Sequence, residues 1–267
     1  MGINKYKDII VNHYTANYNE DDRFNSRSTR LEYLTTMKYI KEYAKKGCKV
    51  LEVGAGTGAY SVELAKSGFD ITAVELVPKN VEVMKQKADG LDNIKCLQGD
   101  ALDLSTFQDN TFDVVLNLGP MYHLYTQDDK DRAIKESVRV CKENGICIFA
   151  YLTHSAIVWA FGVRKNSMDA LLKAMDKDGR IIDTPEEVFS SYFIEDFNKQ
   201  FDNMPTTFLK NVATDSIANN MREYIDLMSE EDYNKLINWH FATCERLDQQ
   251  GLSSHMIYIC KKNETQK

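Results

Sequence analysis

The 267-residue sequence has no surplus of positive charge: 33 lysines and arginines stand against 40 aspartates and glutamates, a formal charge of −7. That balance argues against non-specific affinity for nucleic acid or anionic lipid, which needs clustered cations. Long apolar runs are also missing, and the longest, Ala156 to Val163, is far too short to cross a bilayer. Residues 1–10 (MGINKYKDII) hold no apolar signal core, and Tyr6 stands where a myristoylation pattern needs Ser or Thr. No internal repeat or low-complexity tract occurs. The six cysteines, Cys48, Cys96, Cys141, Cys147, Cys244 and Cys260, include no C-x-x-C pair, and several lie in apolar strand-like runs. They read as reduced, mostly buried thiols of a cytoplasmic protein, with a metal site or a disulfide set as the rival reading. No dense set of metal-ligand residues is visible, so no metal is expected. Asn263-Glu264-Thr265 fits a glycosylation sequon, read as chance without a secretion signal.

What is present is an ordinary globular composition, 43% hydrophobic and 27% charged. It excludes a disordered chain, a collagen-like fibre and a membrane-embedded one. The length suits one large domain, or one core with an inserted cap. Leu31, Leu34, Met37, Ile40 and Tyr43 recur every third residue and predict a helix from about Thr29 to Lys45. A strand, Lys49 to Val53, then stops at Gly54-Ala55-Gly56-Thr57-Gly58. Next come a helix (Tyr60 to Lys66), a strand (Asp70 to Leu76), a helix opened by Pro78 (Lys79 to Ala88) and a strand (Asn93 to Gln98). A further strand (Phe112 to Leu118), a helix (Lys130 to Lys142) ending at Asn144-Gly145 and a strand (Ile146 to Leu152) follow.

This alternation predicts an α/β fold, because parallel neighbours need a crossover and a helix is the usual one. The expectation is a Rossmann-like, doubly wound, mostly parallel seven-stranded sheet with helices on both faces. From Thr153 to about Pro205 the alternation fails, and an aromatic and charged stretch reads as an inserted cap. Thr207 to Thr214 reads as a strand, Ile217 to Leu227 and Glu230 to Arg246 as helices, with Ser229 capping the second. His255 to Cys260 is a last strand, which suggests a sheet turning antiparallel at one edge.

In a strand–glycine-loop–helix unit the glycines let backbone pass close to a ligand, and the helix N-terminus offers unpaired N–H groups. Here Ala59 stands where a dinucleotide fingerprint would carry its third glycine. Glu52 lies two residues before the loop. Glu75 ends the second strand, where a carboxylate can accept from both hydroxyls of a ribose. Asp100, after the third strand, can accept from the exocyclic amine of adenine, and Asn117 ends the fourth. All sit at the carboxyl ends of consecutive strands, where open α/β sheets bind ligands. The bland alternative is that Glu75 and Asp100 are solvated strand ends, and the rival ligand is a nicotinamide dinucleotide.

The run Glu52-Val53-Gly54-Ala55-Gly56-Thr57-Gly58 resembles the first motif of class I S-adenosylmethionine-dependent methyltransferases. Glu75, Gly99-Asp100-Ala101 and Phe112 to Asn117 match that family's next positions, so the resemblance covers about residues 47–152. It implies that S-adenosylmethionine is the cofactor and that the glycine loop with Glu52, Ala55 and Gly58 packs on its methionyl part. Glu75, with Leu76 beside it, would hold the ribose. Asp100 and Ala101 would meet the adenine, and Asn117 and Leu118 would lie beside the reactive methyl. The expected division is then an N-terminal helical lid (1–46), a cofactor-binding core (47–152), a cap or substrate region (153–206) and the remainder of the sheet with its helices (207–267).

A sulfonium methyl is already electrophilic, so aligning a nucleophile and excluding water do most of the work. A base is needed only for an acceptor that carries its proton at working pH. Gly119-Pro120 forces a turn that would set Tyr122 and His123 near the methyl, His123 as base and Tyr122 as orienting hydroxyl. The alternative is a loop whose His and Tyr only pack and cap. The segment departs from the Asn-Pro-Pro-Tyr motif of methyltransferases that modify amino groups of nucleic acid and protein. Upstream, His13, Tyr14, Tyr18, Phe24, Arg27 and Arg30 could cover the site, Tyr18 and Arg27 against the cofactor, whose carboxylate suits an arginine. In the cap, His154, Trp159 and Tyr192 are substrate-pocket candidates, with ordinary packing or a homodimer contact as the alternative. His240 and His255 read as structural. The expected acceptor is a small molecule, with nucleic acid and membrane disfavoured. A tRNA- or protein-modifying enzyme of the same fold, and a non-catalytic protein that only binds the cofactor, stay open.

Overall fold

The computed structural model describes residues 4–17, 20–182 and 189–264. Among these, seven strands form one sheet: β1 (Lys49–Val53), β2 (Asp70–Glu75), β3 (Ile94–Gln98), β4 (Phe112–Asn117), β5 (Cys141–Leu152), β6 (Thr206–Ala213) and β7 (His255–Lys262). Their order is β3-β2-β1-β4-β5-β7-β6. The first five pair in parallel, and β7 runs antiparallel to both β5 and β6. The helices are α1 (Asn4–Asn12), α2 (Arg27–Tyr43), α3 (Ala59–Lys66), α4 (Pro78–Lys87), α5 (Gln127–Val140), α6 (His154–Ile157), α7 (Met168–Lys173), α8 (Ile194–Lys199), α9 (Arg222–Ile225), α10 (Glu230–Thr243) and α11 (Leu247–Gln250). This is a Rossmann-like, doubly wound, mostly parallel sheet with helices flanking it.

Burial follows the chemistry of each strand. In β1, β2 and β4 nearly every residue is buried, as strands covered on both faces must be. The edge strand β3 (IKCLQ) carries polar residues and is largely open. The sheet turns antiparallel at one edge, as the sequence suggested, with β7 second from the rim and β6 outermost. β7 is apolar on both faces and needs a neighbour on each side, whereas β6 exposes Thr207, Phe208 and Leu209 and can serve as the rim.

Ser26, Thr126 and Ser229 cap α2, α5 and α10 through side-chain oxygens that accept from Thr29, Asp129 and Asp232 N–H. Two expected helices differ. The one placed at Lys130 to Lys142 starts earlier, at its Thr126 cap, and ends at Val140. Cys141 already pairs with Phe112, and Asn144 takes a left-handed φ of 62° that bulges the strand. The stretch from Ile217 to Leu227 is mostly turns, with helix only in α9. Tertiary hydrogen bonds take its polar groups: Arg164 donates to the Asn219 carbonyl and Asn220 Nδ2 to Leu252 O. Between β5 and β6 lie α6, a π-helical turn (Val158–Val163), α7 and α8. All six cysteines are free thiols. No helix among the described residues is long and apolar enough to cross a membrane.

Candidate active site

β3, β2, β1 and β4 are consecutive in the sheet, so Asp100, Glu75, the glycine loop and the Gly119-Pro120 turn stand in a row along the strand tips. A crevice runs over them. Its floor is backbone. Gly54 and Gly56 have φ of +76° and +55°, and the Gly54 N–H donates to Val74 O at 2.8 Å. Pro120 packs so closely on Gly54 that a Cβ there would lie 2.6 Å from its Cδ. The tips of β1 and β4 therefore touch, and the crevice is open above them.

Glu75 is buried, and its carboxylate is held by backbone: Gly56 N–H donates to Oε2 at 2.8 Å and Val77 N–H to Oε1 at 2.9 Å. Burial raises its pKa against the pull of these two donors. Asp100 accepts from Leu102 N–H at 2.9 Å through Oδ1 and pairs through Oδ2 with Lys7 of α1. Leu76 and Ala101 complete this half of the lining. The other half is made by α1, the segment before α2 and the 3-10 turn Pro120–His123. Tyr14 Oη lies 2.9 Å from His123 Nε2, and the Tyr14, Tyr122 and Phe189 rings meet His123 at centroid distances of 4.9–5.5 Å. Tyr122 donates to Leu118 O at 3.0 Å and accepts from Arg23 Nη1 at 3.3 Å, and burial pushes its phenol up to about 12. It is a neutral group whose proton is committed to Leu118.

Of the residues singled out from the sequence, Gly54, Gly56, Glu75, Leu76, Asp100, Ala101, Tyr122 and His123 come together in this lining. Others sit elsewhere. Ala55 and Gly58 lie in the loop but not on the crevice. A Cβ on Gly58 would lie 2.8 Å from Met84, so its role is packing against α4. Asn117 is fully buried and donates to Ser137 Oγ at 3.2 Å, while its Oδ1 has no partner. Leu118 is buried, its carbonyl tying down Tyr122. Arg27 points away, into a surface groove, and reaches Asp226 O and Glu230. In the cap, Trp159 is exposed on the outer surface. His154 is buried against Ser191 and Phe193, in a different groove, and burial pushes its imidazole down to about 4, so it is neutral near pH 7. Tyr192 supports the 3-10 turn from behind, donating to Met121 O at 3.0 Å. Tyr18 lies outside the described residues.

Glu52 lies beneath the crevice, not in it. Its Oε2 accepts from Ser61 Oγ of α3, and burial pushes its carboxyl up to about 8. The folded state therefore holds a proton that the unfolded chain releases near 4.5. Stability from this group is complete below that pH and is lost as pH rises toward 8, with a slope of at most about 1.4 kcal/mol per pH unit. Glu52→Gln removes the titration and keeps the Ser61 contact. Its urea-derived stability relative to wild type should rise between pH 5 and pH 8, and a constant difference would contradict the assignment.

The residues missed were Arg23 and Glu20. Arg23 sits four-fifths shielded in the lining, Nη2 donating to Glu32 Oε1 at 2.8 Å, with Glu20 Oε1 at 3.4 Å from Nη1. The two lie in an irregular charged stretch (Glu20-Asp-Asp-Arg23) without periodicity, so only proximity distinguishes Arg23 from Arg27 or Arg30.

Fold and crevice together make an α/β domain with carboxylates, glycine backbone and an arginine set along its strand tips. Residues 51–149 match the family model described as a methyltransferase domain. The match spans the strands and the glycine loop that carry the crevice. A demethylmenaquinone methyltransferase of Staphylococcus aureus (strain MRSA252) is 36% identical over 107 residues, 39% of this chain and 43% of that protein. The chain thus spans under half the length of the curated relatives it matches. Among solved structures, a methyltransferase from Thermotoga maritima, described as a possible histamine N-methyltransferase, superposes with a TM-score of 0.58 at 17% identity, covering 97% of this chain and 99% of that one. Geranyl diphosphate C-methyltransferase from Streptomyces coelicolor A3(2), solved with Mg2+, geranyl-S-thiolodiphosphate and S-adenosyl-L-homocysteine, gives 0.56 at 12% identity, covering 86% and 76%. At these identities the likeness speaks for the fold.

Proposed function

We propose that the chain is an enzyme that transfers a methyl group from S-adenosylmethionine to a small-molecule acceptor by in-line displacement. The observation that carries this reading is the row of groups along the strand tips: Asp100, Glu75, the Gly54–Gly56 backbone and the Arg23–Glu20 pair. They suit, in order, an adenine amine, two ribose hydroxyls, an extended thioether chain and an amino-acid end. Arg23 offers five N–H donors and three are engaged, which leaves donors for a carboxylate. Glu20, whose Cγ is 3.1 Å from where a Gly56 Cβ would stand, suits an α-ammonium. Arg23 therefore takes the role the sequence assigned to Arg27.

The cofactor supplies, when bound, a methyl already activated by its sulfonium. The protein's part is to orient and to exclude water. Ile10 and Tyr14 of the N-terminal segment cover the crevice, and the Tyr122, His123 and Phe189 rings suit a small flat acceptor. The His123 imidazole can take a proton from an acceptor that must lose one. Demethylmenaquinone, named for the curated relative, is one acceptor to try. The matched stretch is the cofactor half, so it brings no acceptor site with it. Calorimetric titration with S-adenosylhomocysteine should give a micromolar Kd, about −8 kcal/mol. Absence of heat, together with binding of reduced nicotinamide followed by its fluorescence, would sink the reading. Incubation with metabolite extract and S-adenosylmethionine, followed by a search for products heavier by one methyl, then addresses the acceptor.

A further inference from the structure

Arg23 is one end of a largely buried ionic chain that leaves the crevice and runs along the strand ends toward β7. Its Nη2 meets Glu32 Oε1 of α2 at 2.8 Å. The other oxygen of Glu32 lies 3.6 Å from His255 Nδ1, and that nitrogen is 2.9 Å from Asp215 Oδ2. His255 opens β7, paired with Leu152 at the tip of β5. Asp215 is 1% exposed, and its Oδ1 accepts from Ser253 Oγ, Ser254 N–H and His255 N–H at 2.6–3.1 Å. The chain is continuous: Asp215, His255, Glu32, Arg23, then the crevice.

The charges decide what His255 does. Glu20, Glu32 and Asp215 are three carboxylates, and Arg23 alone would face them as one cation. The ligand's amino-acid end adds a carboxylate beside Arg23 and an ammonium beside Glu20, so the excess of negative charge stays. An imidazolium between Glu32 and Asp215 offsets part of that excess and lets Glu32 grip Arg23 without drawing it out of the crevice. A neutral imidazole leaves two buried acids in repulsion, with Arg23 as the cation near Glu32.

We propose that Glu32 and His255 are positioning residues that hold Arg23 for the carboxylate of the cofactor, so that grip on the amino-acid end of the ligand requires the proton on His255. This rests on the crevice being an S-adenosyl site. The groups facing His255 are Glu32 from α2, Asp215 from the loop after β6 and Arg23 from the segment before α2. Tyr60 of α3 and Thr36 line the same small cavity as Glu32 and His255. His240 of α10 also feels Asp215, but burial pushes its imidazole down to about 4, and it is bonded to Thr35 Oγ1 at 2.9 Å. For His255, burial works against the charge, but Glu32 and Asp215 outweigh it, and the imidazole titrates above its ordinary range.

The test compares S-adenosylhomocysteine with 5′-methylthioadenosine, the same nucleoside thioether without the amino-acid end, by calorimetry. Glu32→Gln and His255→Gln should each bind S-adenosylhomocysteine about tenfold more weakly and 5′-methylthioadenosine within about twofold of wild type. In wild type the ratio of the two affinities should fall as pH rises through and beyond the ordinary imidazole range, following the loss of the His255 proton. That profile decides the matter if a variant does not fold. Equal losses for both ligands, or a ratio flat in pH, overturn the proposal while leaving the cofactor assignment standing. If wild type binds neither ligand, the cofactor assignment itself falls and takes the proposal with it.

Discussion

Glu75→Ala should weaken S-adenosylhomocysteine binding by about 10- to 100-fold, the cost of losing hydrogen bonds to a charged acceptor at about 1.5–3 kcal/mol. An ionised carboxylate offers about four acceptor positions. Gly56 and Val77 N–H take two, which aims the group and keeps it at the tip of β2, and the Asn80 side chain also bonds it. What remains open faces the crevice, where a ribose hydroxyl would use it. The same substitution orphans both backbone donors, which adds about 1–3 kcal/mol of instability for each that stays buried. Binding and folding are separated by measuring calorimetric affinity and urea denaturation on the same preparation, with Glu75→Gln as the shape-preserving partner. Unchanged affinity in the folded alanine variant would remove Glu75 from the site.

Gly54→Ala should be the most damaging substitution in the loop for stability. At φ +76° a Cβ meets its own backbone, costing about 1–2 kcal/mol. It would also lie 2.6 Å from Pro120 Cδ and 3.0 Å from Cγ, a clash with a stiff ring on a backbone turn. Overpacking of that kind costs about 1–3 kcal/mol more, for a total of about 2–5 kcal/mol. Gly47 is the control: its φ is +84°, but a Cβ there meets nothing within 4 Å. Gly47→Ala should therefore show the conformational part alone, about 1–2 kcal/mol. Equal losses at the two positions would show that the β1 and β4 tips do not meet as described. Because Gly119 in turn approaches Gly54 O, the substitution also lifts the crevice floor, and cofactor affinity should drop with stability.

Much of this was legible in the chain. Strand and helix periodicity is local, so the five parallel strands, the capped helices and the glycine loop could be read within a residue or a few. The carboxylates at the strand tips were legible because fixed spacing from a glycine motif carries them to one end of the sheet. Less local features were missed or misread. Which antiparallel strand stands outermost was not legible, because a short apolar strand looks the same whether it has one neighbour or two. The turns after β6 were read as a helix because tertiary bonds from Arg164 and to Leu252 outweigh propensity there.

By itself the sequence determined the α/β alternation, the position of the loop and the identity of Glu75 and Asp100, because these follow from spacing along a chain whose direction in a parallel sheet is set by crossover geometry. The tertiary structure decided which arginine lines the crevice, that Glu52 works beneath it, and that His154, Trp159 and Tyr192 face elsewhere. It also decided that His255, some 230 residues after Arg23 in the chain, is joined to it through Glu32. Those outcomes depend on where irregular segments fold back onto the sheet, and no repeat of 2 or 3.6 residues records that.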